Sequence, residues 1–160
     1  MCIRLPLIAF AAGLVATPIA AHAQALTEHD VSIKMALTIA QEAMAQCTPR
    51  VSVAVVDRVG RIKVFLQGDG AQPSNIELAR RKAYTALTFG RTSLEWAERA
   101  KVATPGQLML TDVMTQQGGV PIKLGNETIG AVGLSGAPNG GQQEEDCGKA
   151  GIAKVADQLK

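Results

Sequence analysis

The stretch from Leu78 to Ser93, "LARRKAYTALTFGRTS", sets Arg80, Arg81, Lys82 and Arg91 around Tyr84, the only tyrosine of the chain. Guanidinium and ammonium groups beside an aromatic ring can hold the carboxylates of a flat, anionic ligand. On a helix Lys82 and Phe89 are seven positions apart and share nearly the same side, with Arg81 and Thr85 adjacent. A solvated helix face also produces such charge runs. Glu77 is the only acid among these cations, fewer than a mixed surface normally carries. A ligand cradle and a wet helix face are both compatible with this pattern.

Other chemistry has less support. The sequence has no HExxH and no CxxC, and past residue 23 it keeps one histidine, His29. That argues against a structural zinc site, although a single imidazole suffices as an axial ligand for haem-type iron. Ser135 in "GLSGA" is followed by Gly136 and Ala137, so it lacks the glycine two positions on that a nucleophile elbow needs. "SGAPNGGQQEED" has the outline of a phosphate loop feeding a helix, but Glu144, Glu145 and Asp146 fill that first turn and would repel an anion. One Trp, one Tyr and a net charge of +2 leave no basic stripe with stacking aromatics, so nucleic-acid binding is not expected.

The elements that must position these residues follow from periodicity. Residues 1–23 combine Arg4, the apolar run "LPLIAFAAGLVATPIA" and a small-x-small "AHA", the pattern of a signal peptide cleaved before Gln24. A periplasmic or secreted protein is expected, with no membrane insertion after processing, and residues 24–160 form a single domain. Thr27 and Asp30 have capping-box spacing ahead of a stripe of Ile33, Leu37, Ala40, Met44 and Cys47, predicting a helix that Pro49 ends. "VSVAVVD" and "RIKVFLQ" read as a hairpin turning at Asp57–Gly60. Ser74 and Glu77 predict a capped helix to Phe89, ending at Gly90, and Thr92 and Glu95 a second, shorter one. "GGVPIKL" and "ETIGAVGLSG" form another hairpin about Gly125-Asn126, and a last helix carries Cys147, Gly151, Ile152, Val155 and Leu159. Gly130 and Gly133, inside a strand, predict the close approach of a backbone or a ligand. The order α–ββ–αα–ββ–α specifies an α+β domain, an antiparallel sheet with helices packed on it.

Cys47 and Cys147 are the two cysteines left after processing, and an even number in an exported chain reads first as a disulfide; a catalytic thiol, with only His29 to activate it, is the alternative. The bridge would join the end of the first helix to the start of the last. It would close a loop of about 100 residues, worth up to ~4.7 kcal/mol if it acts on chain entropy.

"VSVAVVDRVGRIKVF", "GDGAQPSNIELARRKAYTALTFGRTS", "GGVPIKLGNETIGAVGLSGA" and "EEDCGKAGIAKV", in that order, resemble the GlcG/HbpS family, which includes the C-terminal domain of PduO-type proteins. The resemblance spans about Val31 to Ala156. It implies a profilin-like or roadblock-like sandwich with a five-stranded antiparallel sheet flanked by helices, and self-assembly from dimers up to octamers. It further implies an exported oligomeric binding protein for haem or a related tetrapyrrole, serving haem scavenging or redox sensing. On that reading Arg81, Lys82 and Arg91 pair with propionates, and Tyr84 and Phe89 line the edge of the site. Thr92, Tyr84 or His29 would approach the metal, and Gly118 and Gly119 would form the facing turn. The alternatives are a weak haem-degrading or small hydroxy-acid enzyme, and a non-catalytic scaffold or partner of a membrane sensor.

Overall fold

The computed structural model describes residues 25–160. The expected signal peptide, with its cleavage point before Gln24, lies outside the described residues. Helix α1 (Ile33–Gln46) leads into strands β1 (Ser52–Asp57) and β2 (Ile62–Gln67). Helices α2 (Ser74–Phe89) and α3 (Ser93–Ala103) follow, then β3 (Gly119–Leu124), β4 (Glu127–Ser135) and α4 (Gly141–Ala153). The strands form one antiparallel sheet in the order β2-β1-β4-β3. None of these helices is long and apolar enough to cross a membrane.

The sheet has four strands, not the five that the resemblance implies. The stretch between α3 and β3 is a short 3-10 turn (Pro105–Met109) followed by an irregular loop. Side chains of α2 and α3 satisfy that loop's backbone in place of a strand partner. Arg81 donates to the carbonyls of Thr111 and Val113, the Thr85 hydroxyl accepts from the Met114 amide, and Ser93 donates to the Gln116 carbonyl.

One sheet face carries Val53, Val55, Val120, Ile122, Val132 and Leu134 and packs with Ile39, Ala40 and Ala43 of α1 and Cys147 of α4. The other face is stripped of bulk. Gly119, Gly133 and Ala54 are register partners across three strands, and α2 lies directly on that row. A Cβ at Gly133 would collide with the carbonyl of Ala79, and one at Gly119 with that of Lys82. Of the two glycines expected to admit a close neighbour, Gly133 admits a helix backbone, and Gly130 admits the Val31 side chain and the Val56 carbonyl. β1 is buried along its whole length because strands flank it and helices cover both faces.

Two of the three expected capping boxes do not form. Residues 25–32 have no regular structure, and Ser32 caps α1 by accepting from the Met35 amide. Asp30 instead takes the amides of Val31 and Arg58, fastening this segment to the β1–β2 turn. At α2 the N-cap is Pro73, which contributes no capping side chain, and Glu77 binds Arg80. The Thr92–Glu95 box of α3 forms in both directions, at 3.3 and 2.9 Å.

Candidate functional site

The cations of the opening run do not converge on one ligand. Lys82 turns inward and its Nζ lies 2.5 Å from Glu144 Oε2, both side chains about 5 % exposed or less. Glu144 Oε1 accepts the amides of Gly136 and Ala137 at 2.7 and 3.3 Å. One carboxylate thus joins α2, the end of β4 and the first turn of α4. Gly118, at φ 123°, makes room for this pair, since a Cβ there would stand 2.7 Å from Glu144 Oε2, and Gly119 lies against the Lys82 backbone carbonyl. Gly118 and Gly119 lie against Glu144 and the Lys82 backbone, so the residues assigned by resemblance to a ligand surround a satisfied ion pair. Lys82 is expected to pair with a propionate; in the structure its charge is matched by Glu144, and both residues line a cleft of about 430 Å³ with Gln116, Gln117 and Gly141. Arg81 donates one terminal nitrogen to the carbonyls of Thr111 and Val113 while its buried Nε has no partner among the described residues, and Arg80 is paired with Glu77 and Asp112.

The aromatic residues are also engaged. The ring of Tyr84 covers the β1–β2 turn, where a Cβ at Gly60 would meet it at 2.9 Å. Phe89 stacks on Trp96 with centroids 4.5 Å apart and planes 13° from parallel. His29 Nδ1 is 2.8 Å from Glu127 Oε2 at the start of β4, where Glu127 also faces Arg58.

Arg91 and Thr92 remain, and they stand in a groove. Gly90, in the left-handed conformation at φ 62°, ends α2, and the capping box restarts the chain at once as α3. The resulting turn overhangs the edge strand β3. Gly90, Arg91, Thr92 and Glu95 form one side of a cleft of about 550 Å³, and Val120, Pro121 and Lys123 form the other. No carboxylate of the described residues lies within salt-bridge distance of Arg91 or Lys123. Glu95 shares the groove, with one oxygen committed to the Thr92 amide. Pro121 lacks an amide hydrogen, which suits an edge position. Sequence reasoning missed Lys123, although its two-residue spacing from Pro121 is the one that puts strand residues on a common side. It also missed a second cleft of about 490 Å³ at the opposite end of the sheet, lined by Pro49, Arg50, Asn75, Gly136 and Ala137 among others.

Cys47, at the C-cap of α1, and Cys147, in α4, are present as free thiols, Cys147 within the main core cluster and Cys47 packed against that cluster. Burial, reinforced by Cys147, pushes the Cys47 thiol up to about 12, and burial also raises Cys147. Among the described residues no cluster of His, Cys, Asp and Glu is arranged to hold a metal ion.

A four-stranded antiparallel sheet between two helix layers, with a cationic groove on its edge, defines an α+β domain. Residues 29–153 match the family described as haem degrading protein HbpS-like, and the chain belongs to that family. HbpS of Streptomyces reticuli, in a double-mutant form, is 33% identical and superposes with a TM-score of 0.76 over 87% of this chain and 97% of that one. Two more distant structures share the fold. Klebsiella pneumoniae ORFY is 20% identical, with a TM-score of 0.70 over 86% of this chain and 98% of that one. A PduOC:haem complex is 23% identical, with a TM-score of 0.69 over 78% and 94%. A search of curated proteins finds no match.

Proposed function

We propose that this protein binds haem or a related tetrapyrrole by the ligand's carboxylate edge, in the groove between the Gly90–Thr92 turn and strand β3. The observation that carries this reading is the pair of cations, Arg91 and Lys123, that have no acidic partner among the described residues and stand on the two sides of one open cleft. A tetrapyrrole with two propionates needs donors of this sort side by side, and guanidinium can bind a carboxylate through two parallel hydrogen bonds. A cleft of about 550 Å³ is on the scale of small-molecule sites. Membership in a family described by haem degradation, and the haem complex of the PduOC neighbour, support the choice of ligand.

The residues present fit the acidic edge of the ligand and not its metal. The Thr92 hydroxyl is held by the Glu95 amide, Tyr84 lies over Gly60, and His29 is bound to Glu127. No histidine lines the groove, and its lysine is taken up by the ligand's carboxylates, so no step of haem breakdown is assigned to it. Iron-bearing and iron-free porphyrin should therefore bind alike. Absorbance titrations with haemin and with protoporphyrin test this, with their dimethyl esters as controls. Comparable binding of both acids and loss of binding by both esters is expected; esters that bind as well as the acids would overturn the reading.

In the same reading the protein acts outside the cytoplasm. An intact mass beginning at Gln24 in the periplasmic fraction is the outcome expected, and a full-length mass in the cytosol would contradict it.

A further inference from the structure

We infer that Cys47 and Cys147 are an oxidisable pair that closes a disulfide between α1 and α4. Two helices, not loops, place these sulfurs. α4 lies on the backbone of α1 because residue 151 is glycine, where a Cβ would stand 2.5 Å from the Ile39 carbonyl oxygen and 3.0 Å from Ala43 Cβ. Both cysteines lie at this seam and pack into one core cluster, one at the C-cap of α1 and the other in the second turn of α4. Each is also reached from solvent by its own cleft. Cys47 lines one with Met44, Thr48 and Gly68, and Cys147 lines another with Gln142 and Asp146.

The oxidant is a small-molecule or protein disulfide. One cysteine thiolate attacks it, forming a mixed disulfide and expelling a thiolate. The second cysteine, deprotonated, then attacks the protein-bound sulfur and releases the other half. Two thiols give up two protons and two electrons, and the incoming disulfide leaves as two thiols. The charged groups nearest the pair in the α4 segment are Glu144 and Asp146, both acidic, and burial opposes ionisation of both thiols. The surroundings therefore disfavour a catalytic thiolate. They also make the exchange slow in the folded, reduced protein, so the bond forms during folding. Once closed it anchors the helix turn that carries Glu144, three residues before Cys147. This inference is independent of the tetrapyrrole reading.

The test uses the full chain with Cys2→Ser, refolded with oxidised glutathione and then alkylated with iodoacetamide in denaturant. The expected product carries no label at positions 47 and 147, yields one cross-linked peptide on digestion, and has lost two hydrogen atoms. Reduction of this product should lower Tm by about 10 °C or more. Full labelling of both cysteines, or glutathione retained on each, would overturn the inference. Cys47→Ser should melt at the same temperature with and without reductant, and a persisting redox shift would also refute the pairing. Should Cys47→Ser fold poorly, the wild-type labelling pattern decides.

Discussion

Lys82 belongs to a run of cations and yet is the member that faces inward, where Glu144 meets it at 2.5 Å. Removing one partner of a buried pair leaves an uncompensated charge, a cost of about 3–5 kcal/mol. Lys82→Met should lower stability by that order in urea or guanidinium unfolding, and adding Glu144→Leu should restore most of it. If Lys82→Met alone is neutral, the pair does not hold α4 to α2. Composition makes the charge run visible, but Glu144 lies 62 positions away, and only the fold reveals the pairing. Asp57 is a second buried acid, 2 % exposed. Burial pushes its carboxyl up, but the amide and guanidinium of Arg61 and the amide of Val59 outweigh that and hold it below the usual range. A carboxyl whose folded value is depressed stabilises the fold above its unfolded value of about 3.9 and loses that contribution as pH falls through the folded one. Asp57→Asn should therefore flatten the acid limb of the stability–pH curve; an unchanged limb would show that the turn does not depend on the ionised form.

The glycine row beneath α2 sets how closely that helix approaches the sheet. Gly133→Ala would place a methyl group against the Ala79 carbonyl and the Ala83 amide, and overpacking of this kind costs about 1–3 kcal/mol. Gly106→Ala meets nothing within 4 Å and should be neutral or slightly stabilising. Equal effects in thermal melts would mean that α2 does not lie on the row. Helix and hairpin order was legible because each element carries its own period, and Gly133 already announced a close neighbour. Cap positions were less legible. The same spacing occurs at Thr27–Asp30, Ser74–Glu77 and Thr92–Glu95, but only the last has its first residue in the extended conformation at an N-cap. Thr92→Ala should cost about 0.5–2 kcal/mol.

Across the molecule, polar chemistry gathers at the two ends of the sheet, and apolar side chains are exposed at the end of α3 and beyond it, at Val102, Met109 and Leu110, and again at the β1–β2 hairpin. Val59 and Ile62 are exposed there, beside the hairpin turn that Tyr84 and Leu87 cover. Self-association through this patch is the expected behaviour, and Ile62→Lys should shift light-scattering mass towards the monomer. A monomeric wild type at micromolar concentration would exclude the patch as an interface. The family and the α+β layout could be read from four ordered motifs. The groove could not, because Arg91 and Lys123 come from separate elements and meet only when the left-handed Gly90 folds α3 over the sheet edge.

The decisive measurement is the affinity of protoporphyrin for wild type, for Arg91→Ala/Lys123→Ala and for Arg80→Ala, whose guanidinium is bound to Glu77 and Asp112 away from the groove. The double variant should bind about tenfold more weakly or worse, given ~1.5–3 kcal/mol for a hydrogen bond to a charged group, and Arg80→Ala should bind as wild type does. Unaltered affinity in the double variant would show that anionic porphyrin is held elsewhere or not at all.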